Sequence, residues 1–169
     1  MTDKFRIRLA TIEDADVIAS HRARMSHDMG EVPDDLLDMF RIQSRDRLRE
    51  FFARGEYVGW LASSVDAPGQ VIAGAGVQLR HTLPHPSDMG GLAEGRHALI
   101  INVFTEPEWR RRGLGELLLK GIIDWCVEQK LDRLLLHSSE QGRRLYERLG
   151  FVQTNEMKLI GAISEQPEQ

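Results

Sequence analysis

A single cysteine, Cys126, stands in 169 residues, so neither an intrachain disulfide nor a cysteine metal cluster can form. It lies in an apolar run and reads as a buried, inert thiol rather than a nucleophile. No stretch approaches the roughly 18 apolar residues that span a bilayer, so no membrane role is expected. The opening MTDKFRIRLATIEDAD lacks an apolar signal core and a small-residue cleavage pattern, and the expectation is a cytoplasmic protein. Excess positive charge is also missing. With 22 basic against 26 acidic residues the net charge is −4, which argues against nonspecific nucleic-acid binding as the main role. His81, His85, Asp88 and His97 match no standard ligand spacing, so no metal is expected. There are no internal repeats and no low-complexity tract. What is present is ordinary for a globular domain, 41% hydrophobic and 28% charged residues, and the reading is one domain over residues 1–163 with a frayed tail at 164–169.

Along the chain, Phe5, Ile7 and Leu9 alternate as in a half-buried strand. Thr11 with Asp14 three residues on resembles a capping box, opening a helix to about Met25. SHDMGEVPDD breaks that helix, and Pro33 followed by two aspartates starts a second one, to about Arg54. Its apolar side is Leu36, Leu37, Phe40, Leu48, Phe51 and Phe52. YVGWLASSV and VIAGAGVQLR read as an antiparallel hairpin turning at DAPGQ. The stretch from His81 to Arg96 is aperiodic and predicts a long loop, and HALIINVFT is a nearly continuous apolar strand suited to a sheet centre.

After three arginines comes a helix with Leu114, Leu117, Leu118, Ile122 and Trp125 on one face, widened by Leu119, Ile123 and Val127. Its polar stripe is Glu116, Lys120, Asp124 and Glu128, which makes it a central helix. RLLLHSS predicts a strand, and Ser138 with Gln141 a capping box for the helix EQGRRLYERL, ended by Gly150. FVQ and EMKLI supply two short closing strands. Trp60, Trp109 and Trp125 read as packing residues rather than a base-stacking platform.

The chemistry centres on RRRGLGE. A strand, a glycine turn and a helix N-terminus in that order point unpaired backbone N–H groups and partial positive charge at one spot, an arrangement that holds phosphate. Gly113 and Gly115 let the backbone approach closely. The turn lacks the Lys-Ser or Lys-Thr of a Walker A loop, and Leu118 takes the third glycine position of Gly-x-Gly-x-x-Gly. Taken alone, an arginine-rich turn can equally be solvated surface.

VFTEPEWRRRGLGELLL followed about 30 residues later by GRRLYERLGF resembles the GNAT superfamily of N-acetyltransferases. Its pyrophosphate pattern falls on Arg110, Gly113 and Gly115, with Pro107 and Trp109 where the family has proline and an aromatic. The resemblance implies an α/β (α+β) domain: a central mixed, mostly antiparallel twisted sheet of about seven strands with about four helices, splayed around the loop. It also implies binding of acetyl-coenzyme A. Val103, Phe104 and Thr105 would pair with the pantetheine arm, and the amides of Arg111, Arg112, Gly113, Leu114, Gly115 and Glu116 would hold the pyrophosphate. An N–H on that strand would polarise the thioester carbonyl. The spare arginines would meet anionic phosphates.

Tyr146 matches the tyrosine that protonates the departing thiolate in many members; otherwise it packs with Leu145 and Leu149. Seven residues before it, where the family often has a pantetheine-contacting asparagine, stands Ser139. Some members carry a basic glutamate on the strand before the loop, and HALIINVFT has no carboxylate. His97 at the strand's start is one candidate base, or simply a surface histidine. Asp28 and Glu31, where the family's acceptor site forms, are others: they recognise a cationic amine, act as base, or serve only as cap and turn residues. The expectation is acetyl transfer to a primary amine of a small molecule or protein, directly within a ternary complex, by a possible homodimer. A noncatalytic acyl-coenzyme A sensor and an arginine-based nucleic-acid surface are the rivals.

Overall fold

The computed structural model describes residues 4–158. The chain forms two compact units, Met1–His137 and Ser138–Gln169. In the first unit the strands are β1 (Phe5–Leu9), β2 (Tyr57–Ser64), β3 (Ala67–His81), β4 (His85–Pro86), β5 (Leu92–Ala93), β6 (Arg96–Thr105) and β7 (Arg133–Leu136). Its helices are α1 (Ala15–Asp28), α2 (Leu37–Arg54) and α3 (Leu114–Glu128). The main sheet runs β1-β2-β3-β6-β7, antiparallel until β7 joins β6 in parallel, and β4 and β5 form a separate ribbon.

Side-chain alternation on the strands sorts the helices between the two faces. Tyr57 and Leu61 point one way, into a core with Ala15, Ile18 and Ala19 of α1 and Leu48 of α2. Trp60 points the other way and meets Trp125 of α3 edge-on, with ring centroids 5.6 Å apart. Leu114, Leu118, Leu119, Ile122 and Cys126 of α3 are buried, as its periodicity requires. Burial also pushes the Cys126 thiol up to about 11, so it stays protonated and inert. Val127, expected to widen this face, is 72% exposed.

The cap of α1 forms through Asp14, whose carboxylate accepts the Thr11 N–H at 2.8 Å and an Arg8 fork. β1 is less buried than its alternation implies, with Leu9 55% exposed, because it is the sheet edge and α3 packs on β2, β3 and β6. In α2 only Leu48 is fully buried and Leu36 is exposed. The β2–β3 hairpin turns at Val65 and Asp66; Pro68 and Gly69 belong to β3, accommodated by register shifts opposite Ser63 and Ser64. The expected loop after His81 contains the β4–β5 ribbon.

In the second unit α4 (Glu140–Arg148) is capped by Ser139, not Ser138: the Ser139 hydroxyl accepts the Gly142 N–H at 3.2 Å. Gly150 follows at φ +93°, a left-handed stop. Phe151 to Lys158 has no regular secondary structure, so the closing strands expected at FVQ and EMKLI do not form there. Leu159 and Ile160 of the second, and the tail at 164–169, lie outside the described residues. Seven strands therefore arise among the described residues, with the ribbon in place of the closing pair.

Candidate active site

β6 pairs with β3 along its whole length, but with β7 only from His97 to Ile100. Ile101 to Thr105 run on past the end of β7 at Leu136 and, among the described residues, are paired only with β3. A bulge accompanies it: Ile101 faces Gly76 and Phe104 faces Gly74, so β6 has one residue too many, and Asn102 adopts φ +59°.

The chain then makes a short 3₁₀ turn, Pro107–Trp109, and enters the arginines. Arg111 and Gly113 both adopt left-handed backbone, at φ +61° and +83°. Gly113 is the N-cap of α3, and the first helical bond runs from the Leu117 N–H to the Gly113 carbonyl at 3.0 Å. Leu114 and Gly115 open the helix, and amides at these first positions have no acceptor one turn back within it. A Cβ built on Gly113 would meet nothing within 4 Å, so the space beside that residue is open.

The three arginines divide their work. Arg110 turns back: its Nε donates to the Thr105 carbonyl at 3.1 Å, and its Nη2 donates to the Asp28 carboxylate at 3.1 Å. Arg112 lies over the Trp109 ring at 4.7 Å and donates to the Glu108 carbonyl. Arg111 is exposed and its side chain has no polar partner among the described residues.

A cluster that the sequence did not disclose joins α1 to the end of β6. Arg24 forks onto Glu106 with contacts of 2.7 and 2.5 Å. Arg24 also lies 5.1 Å from the Phe104 ring centroid. His21 stacks on the Phe104 ring, with centroids 4.6 Å apart, and its Nε2 is 3.6 Å from Glu106. Burial pulls the His21 pKa down to about 4, so the ring is neutral. The Arg24 hydrogen bonds hold the Glu106 carboxyl below the usual range, so it is ionised. Glu106 directly follows HALIINVFT, and Asn102 is the one polar side chain between His97 and Thr105. Those were the only available signals.

Asp28 therefore reaches the loop, whereas Glu31 is exposed in the turn after α1 with its N–H on the Ser26 carbonyl. His97 stands at the opposite end of β6 from Thr105, roughly 25 Å away at strand rise. It is 8% exposed rather than a surface histidine, and its Nε2 lies 2.7 Å from that of His85. No group of three or more potential metal ligands occurs among the described residues. No helix among them is long and apolar enough to cross a membrane.

In the second unit Tyr146 is half-buried in α4, edge-on to Phe151 with centroids 5.9 Å apart and packed on Gly142. Burial raises the Tyr146 pKa, so the phenol keeps its proton at neutral pH.

A mostly antiparallel sheet whose inner strand β6 runs into an arginine-lined helix start is the frame of an acyltransferase of the α/β class. The chain belongs to the acetyltransferase (GNAT) family, whose model matches residues 27–151. It is similar to a GCN5-related N-acetyltransferase from Ralstonia eutropha, 28% identical with a TM-score of 0.81, covering 92% of this chain and 97% of that one. It is also similar to a predicted acetyltransferase from Clostridium acetobutylicum, solved with acetyl-CoA: 25% identity, TM-score 0.77, coverage 93% and 96%. Glucosamine-6-phosphate N-acetyltransferase from Arabidopsis thaliana shares the fold at 17% identity and TM-score 0.64, covering 92% and 96%. No curated protein sequence matches the chain.

Proposed function

We propose that this acetyltransferase moves the acetyl group of acetyl-coenzyme A directly to a primary amine. The observation that carries the reading is the helix start: left-handed Arg111 and Gly113 lead into the first amides of α3, with open space beside Gly113, after the stretch of β6 that runs past the end of β7. Those amides suit the pyrophosphate, with Arg111 free to add a charge-assisted contact. Val103 and Phe104 offer strand groups to the pantetheine arm; the Thr105 carbonyl is already occupied by Arg110. The amine nitrogen attacks the thioester carbonyl, a C–N bond forms, the C–S bond breaks, and Tyr146 gives the leaving thiolate its proton. Ser139 caps α4 and thereby holds the helix that carries Tyr146. Asp28 and Glu31 are the carboxylates proposed to recognise the cationic acceptor, Asp28 already poised at the loop by Arg110.

The test is coenzyme A release, followed with a thiol reagent, across polyamines, amino acids, aminoglycosides and peptide N-termini. Turnover with at least one amine and saturable acetyl-coenzyme A binding are expected. Failure to bind acetyl-coenzyme A would overturn the reading.

A further inference from the structure

The bulge in β6 is held by side chains from α1 and β2. Asn102 is 5% exposed and left-handed, a conformation that asparagine tolerates better than most residues. Its Oδ1 accepts the Arg22 Nη1 at 2.9 Å, and the Arg22 guanidinium lies 5.4 Å from the Phe40 ring of α2. Tyr57 lies in the same interior cleft, over Gly76, where a Cβ would overlap its hydroxyl. Asn102 Nδ2 makes no well-aligned hydrogen bond among the described residues, although Asn102 lies close enough to the Tyr57 hydroxyl to offset part of the upward push of burial on that phenol. A left-handed residue and a poorly aligned buried donor at one bulge are costs that a plain strand would avoid.

We infer that Asn102 is a positioning residue: anchored by Arg22, it fixes the course of Val103, Phe104 and Thr105 where β6 runs past the end of β7. This rests on the proposed function, in which those residues meet the pantetheine arm and the thioester. The bulge sits where pairing with β7 has just stopped, so no second strand of this unit holds the segment in register. The anchor on α1 supplies the restraint instead. Because the contact uses Oδ1, an aspartate should serve in place of asparagine, and a glycine, which accepts the same φ, should not.

The experiment compares Asn102→Gly and Asn102→Asp with the wild type. Amide exchange at residues 103–105 is read by NMR. Affinities for acetyl-coenzyme A and for its nucleotide half, 3′-phospho-ADP, are read by calorimetry. Asn102→Gly should speed exchange at 103–105 at least tenfold, leave residues 98–100 unchanged, and weaken acetyl-coenzyme A about tenfold while 3′-phospho-ADP binds as before. A general loss of structure would weaken both ligands together, and that result counts against the inference. Asn102→Asp should restore wild-type exchange and affinity. Unchanged exchange in Asn102→Gly, or an aspartate variant as impaired as the glycine one, overturns it. If the wild type binds neither ligand, the proposed function fails, and the exchange rates still decide the role of Asn102.

Discussion

Tyr146 and Glu106 show how burial and charge divide proton chemistry between residues. The Tyr146 phenol is raised by burial, so it remains a proton donor beyond the usual tyrosine range near pH 10. Removing the hydroxyl in Tyr146→Phe should lower kcat by about 10²–10⁴ and leave the KM for acetyl-coenzyme A within about twofold, the signature of a lost general acid. Steady-state kinetics check this; an unchanged kcat would remove Tyr146 from the chemistry. Glu106 and His21 shift the other way, both lowered, and are weak bases at neutral pH. kcat/KM should accordingly rise with pH until the acceptor's own amine is deprotonated, with no fall up to about pH 10 from Tyr146. A plateau near pH 7 with an amine of pKa near 9 would reveal an enzymic base. The arginine-glycine turn and Tyr146 were legible in the sequence because their motif is contiguous or nearly so. The Arg24–Glu106 and Arg22–Asn102 contacts span 82 and 80 residues, and nothing local announces them.

At the scale of elements, periodicity was readable wherever a helix or strand buries one continuous face. In α3, Leu118 and Ile122 are wholly buried, as the pattern required, while Val127, on the same sequence argument, is exposed because the helix ends a residue later. Leu118→Ala should cost about 2–5 kcal/mol, the usual range for a buried leucine cavity, whereas Val127→Ala should stay within about 0.5 kcal/mol. Urea denaturation of the two variants separates them; equal losses would mean that α3 is packed differently. Short elements were less legible. The β4–β5 ribbon has two residues per strand, too few to show a period, and the segment after Phe151 has strand-like composition without a pairing partner among the described residues. The N-cap moved one residue, from Ser138 to Ser139, since both serines offer the same hydroxyl and only the backbone chooses between them.

For the molecule as a whole, the folded state's acid stability follows from which groups are buried uncharged. His21 ordinarily takes a proton near pH 6.5 and in the fold only near pH 4. Between those values the unfolded chain binds the extra proton, so stability falls as pH is lowered through this window, by about 3 kcal/mol at its foot. His97, also lowered, first by burial and then by His85 and Arg133, adds a loss of the same sign. Glu106 and Asp14 act later: their folded pKa values are depressed, so their stabilisation is complete above the usual carboxylate range and disappears only as pH falls through the lowered values. Denaturant unfolding of the wild type at pH 7, 5.5 and 4 should therefore show a loss that begins well above the carboxylate range. His21→Gln, which has nothing to protonate, should remove most of the slope between pH 6.5 and 4, His97→Gln a smaller part, and both should keep the steep loss below it. A wild-type stability flat down to pH 4.5 would mean that His21 takes up its proton in the fold as readily as in the unfolded chain, and that the Phe104 stack does not exclude water from it.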